Sequence, residues 1–266
     1  MSSSRKTAVV TGASSGIGAV YAQRLAARGY DLVLVARRAD RLATLAEQLT
    51  KAHGVDVRVV AADLEKDADV ARVEAILASD SSVHMLVNNA GLARLRSLKD
   101  TSVADAHSQV ALNVTALTRL TQAVLPELVA RNEGTIINVA SVLAVHSLPI
   151  SAVYSGTKAY VLAFTRGLQA ELADTGVKVQ LVLPASTATE IWSEEVSGIP
   201  LSALRQESIM SAEDMVDASL TGLDNGETVT WPSVADEGLW TTYDTARASL
   251  FAATQTGTPA PRYLKA

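Results

Sequence analysis

From residue 6 to residue 183, apolar runs of five to seven residues alternate with stretches of helical spacing, which restricts the fold more than any other feature. The runs are Lys6–Thr11, Asp31–Ala36, Val55–Ala61, His84–Asn88, Gly134–Ala140 and Lys178–Leu183. None alternates cleanly between polar and apolar, so each reads as a strand buried on both faces. Between them, apolar spacing of the kind seen at Ile17, Val20, Tyr21 and Leu25 predicts helices. These cover Gly16–Arg28, Asp40 to about His53, Asp67–Leu77, Val103–Arg131 and the stretch carrying Tyr154. Strands alternating with helices predict an α/β fold, a doubly wound parallel sheet with helices on both faces. No repeat, low-complexity segment or linker interrupts the chain, so one domain over 1–266 is expected. After Leu183 the pattern loosens into a flexible, substrate-covering excursion at about 185–210. A helix capped by Ser211, a last strand Thr228–Trp231 and a helix over Glu237–Thr254 complete the reading.

Composition narrows the function classes. At 48% apolar and 19% charged residues, the chain is globular rather than disordered. A formal charge of −5 gives no basic footprint for nucleic acid or an anionic membrane. Cysteine is absent, which excludes disulfides, thiolate catalysis and Cys-built metal sites, and fits a cytoplasmic enzyme. The polar start and the break at Gly12 argue against a secretory signal. Gly134 to Thr157 lacks Asp, Glu, Lys and Arg over a length that could cross a bilayer. Asn138, Ser141, His146, Ser147, Pro149 and Ser151 would be costly in hydrocarbon, so a buried strand and a site-lining loop are expected instead.

Between the first strand and first helix stands Thr11-Gly12-Ala13-Ser14-Ser15-Gly16-Ile17-Gly18. Glycines here allow positive φ and close backbone approach to a ligand. The free N–H groups and positive dipole end of the helix suit a pyrophosphate. An ordinary glycine-rich turn is the alternative, weakened because strand and helix both flank it. The second strand should end on an acid if the cofactor is NAD, to bind the ribose 2′-OH. Ala36 stands there, followed by Arg37 and Arg38, two guanidinium groups suited to a 2′-phosphate. NADP, with NADPH preferred over NADH, is therefore the expected cofactor.

Tyr154-Ser155-Gly156-Thr157-Lys158 sets a phenol and an ammonium one helical turn apart. A neighbouring positive charge would lower the phenol pKa toward the range useful for acid–base catalysis. About one shuffled chain in six would contain this spacing by chance, so its context decides.

Taken together, Thr11-Gly12-x-x-x-Gly16-Ile17-Gly18, Asp63, Asn88-Asn89-Ala90-Gly91, Asn113, Ser141 and Tyr154-x-x-x-Lys158 resemble the short-chain dehydrogenase/reductase family over nearly the whole length. The resemblance implies a Rossmann fold of about seven strands with the site at their C-terminal ends. It implies that cofactor contacts come from Gly12, Ser14, Ser15, Gly16, Ile17, Gly18, Arg37 and Arg38. Asp63 and Leu64 would lie at the adenine, Asn88, Ala90 and Gly91 along the cofactor, and Pro184, Thr187 and Thr189 near the nicotinamide. One departure stands out: Ala185 follows Pro184 where the family usually has Gly. In the implied chemistry Ser141 orients a carbonyl and Tyr154 protonates the developing alkoxide as hydride arrives. Lys158 lowers the Tyr154 pKa and holds the ribose, while Asn113 anchors a water leading to solvent. Each has an ordinary alternative: a strand-end serine, a local cap, a snorkelling lysine. Leu143, His146, Ile191 and Trp192 are candidate contacts for a hydrophobic ketone or alcohol, and no metal is called for. The helices around Val110–Leu128 and Val153–Leu172 are apolar on more than one face. The resemblance implies pairing there into a homotetramer or homodimer. Rival functions are a β-ketoacyl-carrier-protein reductase, a steroid or polyol dehydrogenase, and a non-catalytic NADP-binding sensor.

Overall fold

The apolar runs pair side by side into one parallel sheet. The computed structural model describes residues 5–264. Its strands are β1 (Thr7–Thr11), β2 (Asp31–Ala36), β3 (Val57–Ala61), β4 (Val83–Asn88), β5 (Gly134–Val139), β6 (Val177–Val182) and β7 (Val229–Thr230). Their order is β3-β2-β1-β4-β5-β6-β7, with every pair parallel. The order reverses between β1 and β4, and at such a switch point the diverging loops open a crevice beyond the strands' C-terminal ends.

Helices α1 (Gly16–Ala27), α2 (Ala39–His53) and α7 (Ala212–Asp224) cover one face. Their Leu25, Leu42, Leu45, Met215 and Leu220 pack with Ala8, Val10, Leu32 and Leu34. Helices α3 (Asp67–Ser79), α5 (Leu117–Ala130) and α6 (Ala152–Glu171) cover the other. There Val73, Leu77, Leu120, Val124 and Leu168 pack with Val9, Val33, Val35 and Leu86. Neighbouring strand residues therefore point into two different cores, which is why the strands lack polar alternation.

Three expectations need correction. The third strand begins at Val57 rather than Val55. The helix expected over Val103–Arg131 is three pieces: α4 (Val103–Val110), a π-helical stretch Ala111–Ala116, and α5. Such i→i+5 widenings occur often at functional sites, and this one carries Asn113. The excursion expected to be flexible is pinned along its length. Thr187 bridges Met210, Ala188 N–H donates to Met210 O at 2.8 Å, and Leu95 N–H donates to Ser197 O at 2.8 Å.

The chain divides into two compact units, Met1–Pro232 and Ser233–Ala266. The sheet and helices α1–α7 lie in the first. The second carries α8 (Gly238–Ala253), where Trp240 stacks on Tyr243 with ring centroids 5.5 Å apart. No helix among the described residues is long and apolar enough to cross a membrane.

Candidate active site

The crevice at the switch point is a cleft of about 510 Å³, built entirely within the first unit. One end is the glycine turn. Gly12 and Gly16 adopt φ of 68° and 53°, in the left-handed region that disfavours a side chain. A Cβ on Gly12 would stand 2.8 Å from Asn89 Nδ2, and one on Gly16 would stand 2.9 Å from Thr189 Cγ2. Thr11 ties this turn to the end of β4. Its Oγ1 donates to Val87 O at 3.1 Å and accepts from the N–H groups of Asn89 and Ala90 at 3.0 Å each.

Of the residues expected at a cofactor, Gly12, Ser14, Ser15, Gly16, Ile17, Arg37, Arg38, Asp63, Leu64, Ala90, Gly91, Pro184, Thr187 and Thr189 line the cleft. Gly18 and Asn88 do not. Gly18 serves packing, since a Cβ there would meet Gly12 O at 2.3 Å. Asn88 points away into a buried polar cluster, donating to Thr121 Oγ1 at 3.0 Å and Asn138 Oδ1 at 2.9 Å. Its neighbour Asn89 lines the cleft instead and donates to Thr11 O at 2.9 Å. Successive residues at a strand end face opposite ways, and that parity was the available signal.

Arg38 lies over the glycine turn. Its Nε and Nη2 donate to Ser14 Oγ at 3.2 and 3.0 Å, and Nη2 also donates to Ser15 Oγ at 2.7 Å. Arg37 stands 3.7 Å from Glu65, and both line the same end of the cleft. At the end of β3, Asp63 Oδ1 accepts from Glu65 N–H at 3.3 Å, an Asx turn that shapes the cleft wall.

The far end collects Ser141, Tyr154 and Lys158. Ser141 follows β5, and its Oγ caps the next turn by accepting from Leu143 N–H at 3.1 Å. Tyr154 and Lys158 share one face of α6, with Lys158 Nζ 5.8 Å from the phenol centroid. Nζ donates to Val139 O at 2.9 Å. The expected lowering of the Tyr154 pKa is not found. Burial pushes the phenol up to about 12, opposed by its hydrogen bond with Ser141. Burial also lowers Lys158 to about 8. Low dielectric surroundings disfavour both charged forms. At neutral pH Tyr154 therefore carries its proton.

The depressed Lys158 value has a thermodynamic consequence. Between about 8 and its ordinary 10.5, the unfolded chain holds the proton that the folded chain has released, so stability rises with pH across that window. Lys158→Met should abolish this contribution. Its stability relative to wild type, followed by urea unfolding, should fall by up to about 3 kcal/mol from pH 8 to 10.5. A constant difference would contradict the assignment.

Asn113 is buried close by, but its amide is engaged with protein atoms. Oδ1 accepts from Leu92 N–H at 2.8 Å, while Nδ2 donates to Leu92 O at 2.8 Å and Thr157 Oγ1 at 3.0 Å. The side chain clamps the loop after β4 against α6. Asn113, Gly91 and Lys158 do come together. A Cβ on Gly91 would lie 3.4 Å from Asn113 Oδ1 and 3.5 Å from Lys158 Nζ.

Of the expected substrate contacts, Ser141, Leu143, Tyr154, Ile191 and Trp192 line the cleft, and His146 is exposed outside it. Residues not singled out from the sequence add to the apolar wall: Leu95, Ile150, Ile199 and Leu204. Trp192 is fixed by donation from Nε1 to Thr187 O at 3.0 Å. Ala185 lines the cleft without a positive φ, so the backbone conformation of the turn does not require a glycine there. Among the described residues, no group of three or more His, Asp or Glu is placed to hold a metal ion.

Comparison with known proteins bears on this geometry. The family model for short chain dehydrogenase matches residues 6–199. A short-chain dehydrogenase from Sphingobium yanoikuyae, solved in complex with NADPH, is 42% identical with a TM-score of 0.93 over 97% of this chain and 100% of that one. The bulky-bulky ketone specific alcohol dehydrogenase from Comamonas testosteroni is 37% identical with a TM-score of 0.90 over 99% of this chain and 100% of that one. The very-long-chain 3-oxoacyl-CoA reductase-B of Danio rerio is 34% identical over 194 residues, 71% of this chain and 62% of that protein. The chain spans about three fifths of the length of the reductases of this kind that it matches.

Proposed function

The chain belongs to the short-chain dehydrogenase family, and on that premise we propose that it is an NADPH-dependent oxidoreductase interconverting a bulky hydrophobic ketone and its secondary alcohol. The carrying observation is one cleft with a glycine turn and two arginines at one end, and Ser141, Tyr154 and Lys158 at the other. The residues present fit NADP. The glycine turn has no room for side chains, Ala36 supplies no acid for a ribose 2′-OH, and Arg37 and Arg38 offer donors to a 2′-phosphate. In this reading Gly12, Ser14, Ser15, Gly16 and Ile17 hold the pyrophosphate, and Asp63 and Leu64 flank the adenine. Ala90, Gly91, Pro184, Thr187 and Thr189 hold the remainder. When bound, the cofactor supplies the hydride.

The chain's own residues do the rest. Ser141 donates a hydrogen bond to the substrate carbonyl and fixes it beside Tyr154. Tyr154, protonated at neutral pH, gives its proton to the oxygen as negative charge develops there. Lys158, held by Val139 O, keeps a positive charge within reach of the phenol as the proton leaves. The apolar wall excludes water and accommodates two large substituents, in line with the ketone-specific relative. Assays at 340 nm with NADPH or NADH and a ketone panel test this. Bulky diaryl or aryl-alkyl ketones should be reduced faster than acetone, and NADPH should be preferred. Preference for small or charged carbonyls would reject the substrate class.

A long-chain 3-oxoacyl thioester is the second reading, favoured by the 3-oxoacyl-CoA reductase relatives and by the same apolar wall. Activity on a 3-oxoacyl-CoA above that on bulky ketones would select it. In either case the protein is taken to work in the cytoplasm, paired through α5 and α6 into a homotetramer or homodimer. Tyr160 and Phe164 stack on α6 at 5.7 Å, and Tyr160 is partly exposed there. Light scattering should give a mass two or four times that of the chain, and a monomer would refute the pairing.

A further inference from the structure

Glu190 belongs to the segment that leaves β6, yet its carboxylate engages side chains at the start of α2. Oε2 accepts from Arg38 Nη1 at 2.6 Å and Oε1 accepts from Arg41 Nη1 at 2.5 Å. Arg38 reaches Ser14 and Ser15 of the glycine turn with its remaining donors. The two guanidinium groups hold the Glu190 carboxyl down at about 2. Glu190 thus uses Nη1 of the arginine best placed for a 2′-phosphate. Its side chain remains 52% exposed, and exposed ion pairs are weak enough to exchange. A phosphate dianion carries more charge and more acceptor oxygens than a carboxylate, so it competes favourably for the same donors.

We propose that Glu190 is an intramolecular stand-in for the cofactor's 2′-phosphate, tying the start of the covering segment to the glycine turn until a phosphate displaces it. The inference rests on the NADP reading above. It makes Glu190 a specificity-determining residue: it opposes the 2′-phosphate and leaves a cofactor lacking that group unaffected. It also couples cofactor binding to the segment over the cleft. Thr189 packs on Gly16 next to Glu190, and Trp192 is tied back to Thr187 O two residues further on. Release of Glu190 therefore frees residues 189–191, while the pairing of Thr187 and Ala188 with Met210 and the Ser197 contact with Leu95 hold the rest.

The test uses two nicotinamide-free probes, 2′,5′-ADP and 5′-AMP, titrated calorimetrically into wild type and Glu190→Gln at low ionic strength. Glu190→Gln should bind 2′,5′-ADP roughly five- to tenfold tighter, with 5′-AMP unchanged. Hydrogen exchange at residues 189–191 should quicken when 2′,5′-ADP binds wild type, and should already be fast in the variant. Equal or weaker 2′,5′-ADP binding by Glu190→Gln, or exchange unaltered by either change, overturns the proposal and leaves the NADP reading intact. Wild type binding 2′,5′-ADP no tighter than 5′-AMP overturns both.

Discussion

Tyr154→Phe is expected to lower kcat for ketone reduction by about three orders of magnitude or more, with NADPH affinity within about threefold of wild type. The substitution removes one oxygen and keeps the ring, so packing against α6 and the cleft wall is preserved. What disappears is a positioned proton donor, worth about 10²–10⁴ in rate, and a hydrogen bond to the developing alkoxide. At neutral pH the wild-type phenol, pushed up to about 12 by burial, is in its donating form. Single-turnover rates with NADPH, paired with fluorescence titration of the bound cofactor, separate chemistry from binding. Retained turnover would remove Tyr154 from the mechanism. Weakened NADPH binding with normal turnover of bound enzyme would make it a binding residue.

Arg38→Ala should raise the NADPH Kd by about 30- to 100-fold while changing the NADH Kd by about threefold or less. Charge-assisted hydrogen bonds from a guanidinium to a phosphate are typically worth about 1.5–3 kcal/mol. The small common loss follows from the bonds to Ser14 and Ser15, which brace the glycine turn for either cofactor. The ratio of the two affinities is thus the informative quantity. An equal loss for both cofactors would mean that Arg38 organises the turn without reading the phosphate. Arg37 is the more exposed of the two, with 68% of its side chain accessible, and should contribute less.

The fold was legible because its signal is long-range and repeated. Six apolar runs without alternation, separated by five stretches of helical spacing, admit few arrangements other than a covered parallel sheet. The glycine turn was legible for a steric reason, since its glycines stand where backbone and side chains crowd. Ser141, Tyr154 and Lys158 sit in one cleft because β5 and α6 deliver them to the same end of the sheet.

The contacts not read from the sequence share a cause. Asn88 and Asn89 have the same chemistry, and only the parity of the strand end decides which one reaches the cleft. Asn113 could not be read as a loop clamp, because its partners Leu92 and Thr157 lie 21 and 44 residues away. Glu190 meets Arg38 across 152 residues of sequence and carries no motif. The Tyr154 shift went the opposite way because spacing reports the nearness of Lys158 and says nothing of the burial that both groups share. Side-chain direction, burial and contacts closed only by the tertiary fold are what local sequence withholds.

The most direct measurement is product analysis after reduction of a bulky prochiral ketone by the wild-type protein with NADPH carrying deuterium at both hydrogen positions of nicotinamide C4. Hydride transfer to the carbonyl carbon should give an alcohol carrying one deuterium on the carbinol carbon, one enantiomer in excess, and a hydroxyl proton drawn from solvent. An alcohol without carbon-bound deuterium, or tightly bound NADPH that no ketone oxidises, would contradict it.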